Sequence, residues 1–264
     1  MMLEIRDLRV SFGQREVVKG IDLDLARGET LGIVGESGSG KSVLSLATIG
    51  LLPRSARATG SIRLDGEELL TMREGELDRI RGRKIGMIFQ EPMSALNPAM
   101  RVGAQIAEGL RLRRGLSSRE ARAEALRLLD RVKIPDARAR IDSFPHEMSG
   151  GQRQRVGIAI ALALEPELLI ADEPTTALDV TVQADILDIL DDLVSDLNLG
   201  LIFISHDLGV IARIADRTLV MYRGEEMERG ETETILRRPG HPYTRKLLDA
   251  MPRRSRLSLG GGDV

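Results

Sequence analysis

Two stretches of the chain have the residue types and spacing for phosphate chemistry. The first is Gly35-Glu36-Ser37-Gly38-Ser39-Gly40-Lys41-Ser42, which fits the spacing G-x-x-x-x-G-K-[ST]. Glycines leave room for successive backbone N–H groups to turn toward an anion, and a helix N-terminus behind them adds partial positive charge. In such a loop Lys41 reaches the β- and γ-phosphates of a nucleotide, and the Ser42 hydroxyl ligates Mg²⁺. A Gly/Ser-rich turn is the plain alternative. The flanks argue against it: an apolar run, Leu31–Val34, precedes the loop, and an apolar helical stretch starting at Val43 follows it.

The second stretch is Leu168-Leu169-Ile170-Ala171-Asp172-Glu173-Pro174. Open α/β sheets bind their ligands beyond the carboxyl ends of strands, and two carboxylates stand at that place here. Asp172 is placed to hold Mg²⁺, directly or through water. Glu173 is placed to polarise an attacking water as general base. An acid after an apolar run is often only a solvated turn, and it is the phosphate loop elsewhere in the chain that shifts the reading toward chemistry.

The elements that must position these groups are legible in part. Thr30–Val34, Ile85–Phe89, Leu168–Ala171 and Leu201–Ser205 are nearly continuous apolar runs, the pattern of parallel strands covered on both faces. Thr218–Tyr222 is expected to add an edge strand. Residues 1–27 and roughly 58–70 alternate, as Ile21, Leu23 and Leu25 do with Asp22 and Asp24, and read as a largely antiparallel region. Between Phe89 and Leu168 the pattern is mostly helical. Ser117 and Glu120 are spaced as a capping box. Further helices are expected from near Gly151 to Ala163 and over Thr181–Leu197. Strands alternating with helices predict an α/β fold.

The 264 residues suit one domain with an insertion. A net charge of −2 argues against nonspecific nucleic-acid binding, which runs on phosphate neutralisation. With no cysteine, thiolate metal sites and cysteine nucleophiles are excluded. Glu4, Arg6, Asp7 and Arg9 argue against a signal peptide, and no apolar run approaches the roughly 20 residues of a spanning helix. No internal repeat is visible, so one nucleotide-binding unit is expected.

Ser149-Gly150-Gly151-Gln152, preceded by Met148, resembles the LSGGQ signature of ABC transporter ATPases, with Met at the usual Leu position. Other motifs of that family follow in its order. Phe12 stands where an aromatic stacks on adenine, Gln90 where the Q-loop glutamine follows a strand, Ala177-Leu178-Asp179 where the D-loop lies, and His206 where the switch histidine lies. Each also has an ordinary reading: packing for Phe12, a surface amide for Gln90, a helix cap for Ser149 and for His206. The resemblance covers about residues 1–250. It implies a P-loop NTPase (RecA-like) core with an antiparallel β subdomain and an inserted helical subdomain at about 91–163, all within a domain over 1–252. Residues 253–264, rich in Arg, Ser and Gly, are expected to be a disordered tail.

The resemblance also implies function: ATP and Mg²⁺ as ligands, and ATP hydrolysis coupled to transport. Gln90 would touch Mg²⁺ or the water and His206 the γ-phosphate. The Ser149 helix tip would face the nucleotide of a second ATP-binding subunit in a head-to-tail dimer, with Asp179 connecting the two sites. Glu91–Pro98 and Pro239-Gly240-His241-Pro242-Tyr243-Thr244 resemble the dipeptide/oligopeptide/nickel import branch. The second stretch has a simpler reading as a turn stiffened by two prolines. That branch implies two integral-membrane permeases, an extracytoplasmic solute-binding protein acting indirectly, no nucleic acid, and a peripheral position at the cytoplasmic face of the plasma (inner) membrane. Nickel or metal-chelate import is an alternative cargo, and a soluble non-transport ABC ATPase an alternative class. Several branch members carry a cysteine-bearing extension resembling an iron–sulfur site; this chain has no cysteine, so no such site is expected.

Overall fold

Alternation sets the first sheet. A computed structural model of the chain describes residues 1–90, 96–176 and 178–250. The 253–264 tail and most of the Glu91–Pro98 segment lie outside them, as does Ala177. The chain forms two compact units, Met1–Asp78 with Gly200–Val264, and Arg79–Leu199. In the first unit β1 (Leu3–Phe12) buries Leu3, Ile5, Leu8 and Val10 and turns its other residues outward. It lies between β2 (Arg15–Leu25) and β4 (Ala56–Leu64), with the short β5 (Glu67–Glu68) beyond, in the antiparallel order β2-β1-β4-β5. The register slips between Arg6 and Arg9 opposite Gly60, where a Cβ would come within 2.4 Å of the Asp7 carbonyl oxygen. The extra residue of the bulge thus requires glycine across from it.

The same unit holds the strands that carry the loop. β3 (Thr30–Val34) is buried at every position and runs parallel to β8 (Gly200–Ser205) and β9 (Arg217–Tyr222). The helix α1 (Lys41–Thr48) follows β3, and α2 (Glu74–Ile80) runs across the boundary into the second unit. Thr218–Tyr222 is not an edge: β9 pairs on its other side with β10 (Glu225–Glu231). The sequence hides β10 because its residues, Glu-Glu-Met-Glu-Arg-Gly-Glu, are nearly all polar, a composition that an edge strand tolerates. Arg223 and Gly224 join the two strands, both at positive φ (49° and 87°), as a tight hairpin turn of matching twist demands.

In the second unit β6 (Ile85–Ile88) and β7 (Leu168–Asp172) run parallel, β7 buried throughout. Between them, from Val102 on, come α3 (Val102–Arg114), α4 (Ser118–Arg131), the short α5 (Ala137–Arg140) and α6 (Gly150–Leu162). The Ser117–Glu120 capping box forms, with Ser117 N–H donating to Glu120 Oε2 at 2.9 Å. After β7 comes α7 (Val180–Leu197), capped by Asp179, whose Oδ1 accepts the Val182 N–H at 3.0 Å. In the first unit, α8 (Leu208–Ile214), α9 (Thr232–Arg237) and α10 (Pro242–Ala250) complete the order. The architecture is α/β, as the alternation predicts. Among the described residues no helix is long and apolar enough to cross a membrane.

Candidate functional site

Register places the phosphate loop. Val34, the last residue of β3, pairs with Ser205 of β8 and with Val220 of β9, so Gly35 and His206 leave their strands level with Met221 near the end of β9. A Cβ on Gly35 would lie 2.1 Å from the Met221 carbonyl oxygen, so the loop passes that strand end only as glycine. Gly38 and Gly40 follow at φ 78° and 101°, where side chains are strained. The Ser39 N–H closes a turn onto the Glu36 carbonyl at 3.1 Å, and the Ser39 carbonyl accepts the Gly224 N–H at 2.9 Å. Ser37 and Ser42 flank these contacts within the loop, and Val43 continues α1.

Lys41 opens α1 and is 4% exposed. Its Nζ donates to the Gly35 carbonyl at 2.7 Å and the Glu36 carbonyl at 3.0 Å, which holds the ammonium inside the curve of the loop. The first turn of α1 carries no acidic residue to offset its positive end. Glycine backbone, ammonium, hydroxyl and helix terminus form a donor set that fits a polyphosphate. Among the described residues no three His, Cys, Asp or Glu side chains cluster as a metal cage.

His206 is exposed just past β8. It is not the helix cap: Asp207 caps α8, its Oδ1 accepting the Gly209 N–H at 2.7 Å. Phe12 sits half-buried at the end of β1, before the turn at Gly13.

In the second unit the same logic aligns the acidic pair with Gln90. Ile88 of β6 pairs with Ala171 of β7, so the second residue after each, Gln90 and Glu173, emerges alongside the other. Gln90 Nε2 donates to Glu173 Oε2 at 3.3 Å, and Thr176 Oγ1 donates to the same oxygen at 2.9 Å. Asp172 is 5% exposed at the end of β7. Glu173 adopts φ 48°, the left-handed region that a non-glycine residue enters at a cost of about 1–3 kcal/mol. Such strain concentrates at functional positions, and here it falls on the residue that the sequence singles out as a base.

The Ser149 tip is a helix cap by geometry. Ser149 Oγ accepts the Gln152 N–H at 3.3 Å, and Gln152 Oε1 accepts the Ser149 N–H at 3.0 Å. Gly150 and Gly151 form the first turn of α6. A Cβ on Gly151 would stand 2.4 Å from Val182 Cγ1, so this glycine lets α7 approach.

Sequence reasoning missed two partners. Thr176 gives no signal beyond lying three residues after Glu173. The Tyr243 hydroxyl oxygen accepts the Glu36 N–H of the phosphate loop at 3.3 Å. The Pro239–Thr244 pattern drew attention to that stretch, but only the fold brings it to the loop.

A glycine-and-lysine loop on parallel strands, with a second unit that ends a strand in paired carboxylates, defines an α/β protein of the phosphate-loop class. Residues 18–176 match the family described as ABC transporter, and residues 227–259 match the one described as oligopeptide/dipeptide transporter, C-terminal region. The oligopeptide transport ATP-binding protein OppD of Salmonella typhimurium is 52% identical over 257 residues, 96% of this chain and 77% of the relative. Among solved structures, cbiO1 from Clostridium perfringens, part of the ABC transporter complex cbiONQ, is similar with a TM-score of 0.78 at 29% identity, over 97% of this chain and 98% of that one. The ATP-binding cassette MJ0796, in a dimeric post-hydrolysis state bound to ADP and Pi, gives 0.76 at 28% identity, over 88% and 99%. The chain belongs to the ABC transporter family.

Proposed function

We propose that this chain is the ATP-binding and ATP-hydrolysing subunit of an ABC importer, driving di- or oligopeptide uptake through separate membrane permeases. The observation that carries the hydrolytic reading is the Gln90–Glu173–Thr176 cluster, one amide and one hydroxyl donor aimed at one carboxylate oxygen. Those donors hold the Glu173 carboxylate in place, and in this reading it accepts a proton from an attacking water. Lys41 and the Gly35–Ser42 backbone hold the triphosphate, Phe12 meets the adenine, and His206 donates to the γ-phosphate. Ser42, Asp172 and Gln90 would hold Mg²⁺, which when bound offsets phosphate charge. Phosphoryl transfer needs positioning and charge stabilisation more than covalent chemistry, and these groups supply both.

The cassette spans 1–252 with its helical subdomain at about 91–163. Ser149, Gly150, Gly151 and Gln152 present a helix terminus to the nucleotide of a second ATP-binding subunit, and Asp179 links the two sites. The peptide reading is supported by the match of residues 227–259 and by the names of the relatives. In this reading the subunit is peripheral, at the cytoplasmic face of the plasma membrane, and never touches the cargo. Affinity capture of the chain from its own cells tests the assignment. It should bring down two integral-membrane permeases. Recovery with ribosomes or nucleic acid and without permeases would reject it.

A further inference from the structure

One peptide group joins the C-terminal segment to the lysine of the phosphate loop. The carbonyl of Gly35 accepts from Lys41 Nζ at 2.7 Å, and the N–H of the same peptide unit, that of Glu36, donates to the Tyr243 hydroxyl at 3.3 Å. A trans peptide is planar, so its C=O and N–H point in opposite directions and turn together. Holding the N–H from outside the loop therefore fixes the carbonyl that holds the ammonium inside it. Gly35 cannot do this alone, because glycine is the residue freest to rotate.

Tyr243 is itself held. It is 8% exposed, and its ring packs on Tyr222 with centroids 4.4 Å apart. Tyr222 ends β9, which pairs with the strand feeding the loop. Pro242 starts α10, and the Tyr243 N–H donates to His241 Nδ1 at 3.1 Å. Upstream, Glu228 of β10 accepts the N–H groups of Gly240 at 2.7 Å and His241 at 3.1 Å. Burial pushes the Glu228 carboxyl up, yet these two amides and the nearby Thr244 hydroxyl, which falls short of full hydrogen-bond geometry, hold it below its ordinary value. The Pro239–Thr244 turn is thus anchored to β10 as an anion-held bend. Burial also raises the Tyr243 hydroxyl above its ordinary value, with the Glu36 N–H acting the other way, so the group stays un-ionised at neutral pH. The Lys246–Glu36 ion pair, at 4.0 Å and exposed, adds little.

We infer that the C-terminal segment is part of the nucleotide machinery, with Tyr243 a positioning residue that sets the Gly35–Glu36 peptide and through it Lys41. The inference rests on the reading of Gly35–Ser42 as the ATP loop.

Tyr243→Phe removes the hydroxyl and keeps the ring on Tyr222. It should raise KM for ATP about two- to tenfold, the range of one lost neutral hydrogen bond, with kcat within about twofold and the melting temperature unchanged. Amide hydrogen exchange at Glu36 should quicken while the β3 amides stay as they were. Glu228→Gln, which weakens the anchored bend, should move KM in the same direction and decides the matter if Tyr243→Phe does not fold. Lys41→Ala separates the two readings. If Lys41→Ala binds ATP normally, the loop assignment itself is wrong. If Lys41→Ala loses binding but Tyr243→Phe and Glu228→Gln keep wild-type KM and Glu36 exchange, only the positioning role is overturned.

Discussion

In the proposed mechanism Glu173 is the residue that acts on the attacking water. Its backbone is in the left-handed region, and its Oε2 takes two donors from Gln90 and Thr176. General-base catalysis by a carboxylate held in place in this way contributes about 10²–10⁴ in rate. Glu173→Gln keeps the size and the Thr176 contact but removes the proton acceptor. Its phosphate release should fall at least about a hundredfold while ATP affinity holds, as read by a continuous phosphate assay beside a binding titration. At this scale Lys41, Asp172 and Glu173 were legible because their chemistry depends on local spacing. Tyr243 and Thr176 were not, because each acquires its role from a partner that only the fold supplies.

Elements turn that spacing into geometry through register and close approach. Gln90 and Glu173 meet because Ile88 pairs with Ala171, and Gly35 passes Met221 because Val34 pairs with Val220. Continuous apolar runs revealed these strands in the sequence. β10 escaped because a charged edge strand has no apolar period to read; its one signal was the Arg223-Gly224 pair at its turn. Gly151 shows a helix junction set by a single missing methyl. Gly151→Ala would place a Cβ 2.4 Å from Val182 Cγ1 and should cost about 1–3 kcal/mol of stability. Val182→Ala removes the obstructing methyl, so the double variant should recover most of the loss in thermal unfolding. Additive losses in the double variant would mean that the contact is not what requires glycine there.

The chain carries both ends that the proposal assigns to phosphate, the loop before α1 and the serine-capped tip of α6, together with Glu173 after β7 and the exposed His206 after β8. Composition bears on this scale only by exclusion: a near-neutral charge argues against nonspecific nucleic-acid binding, and without a spanning segment a transport role needs separate membrane subunits. What composition could not supply was the support of the loop by residues some two hundred positions away, since Tyr243 and Glu36 are joined by topology alone. Every motif the proposal uses occurs on this chain, so a dimer of two copies would have two complete sites, whereas a related chain as partner would supply its own. In this account each ATP is gripped by the loop of one copy and the Ser149 tip of the other. The most direct test is the mass and nucleotide content of the Glu173→Gln chain after incubation with ATP and Mg²⁺. The account predicts a dimer retaining two unhydrolysed ATP molecules, dissociating when Ser149 is also replaced by Arg. A chain that stays monomeric with ATP bound, or a dimer indifferent to Ser149, would contradict it.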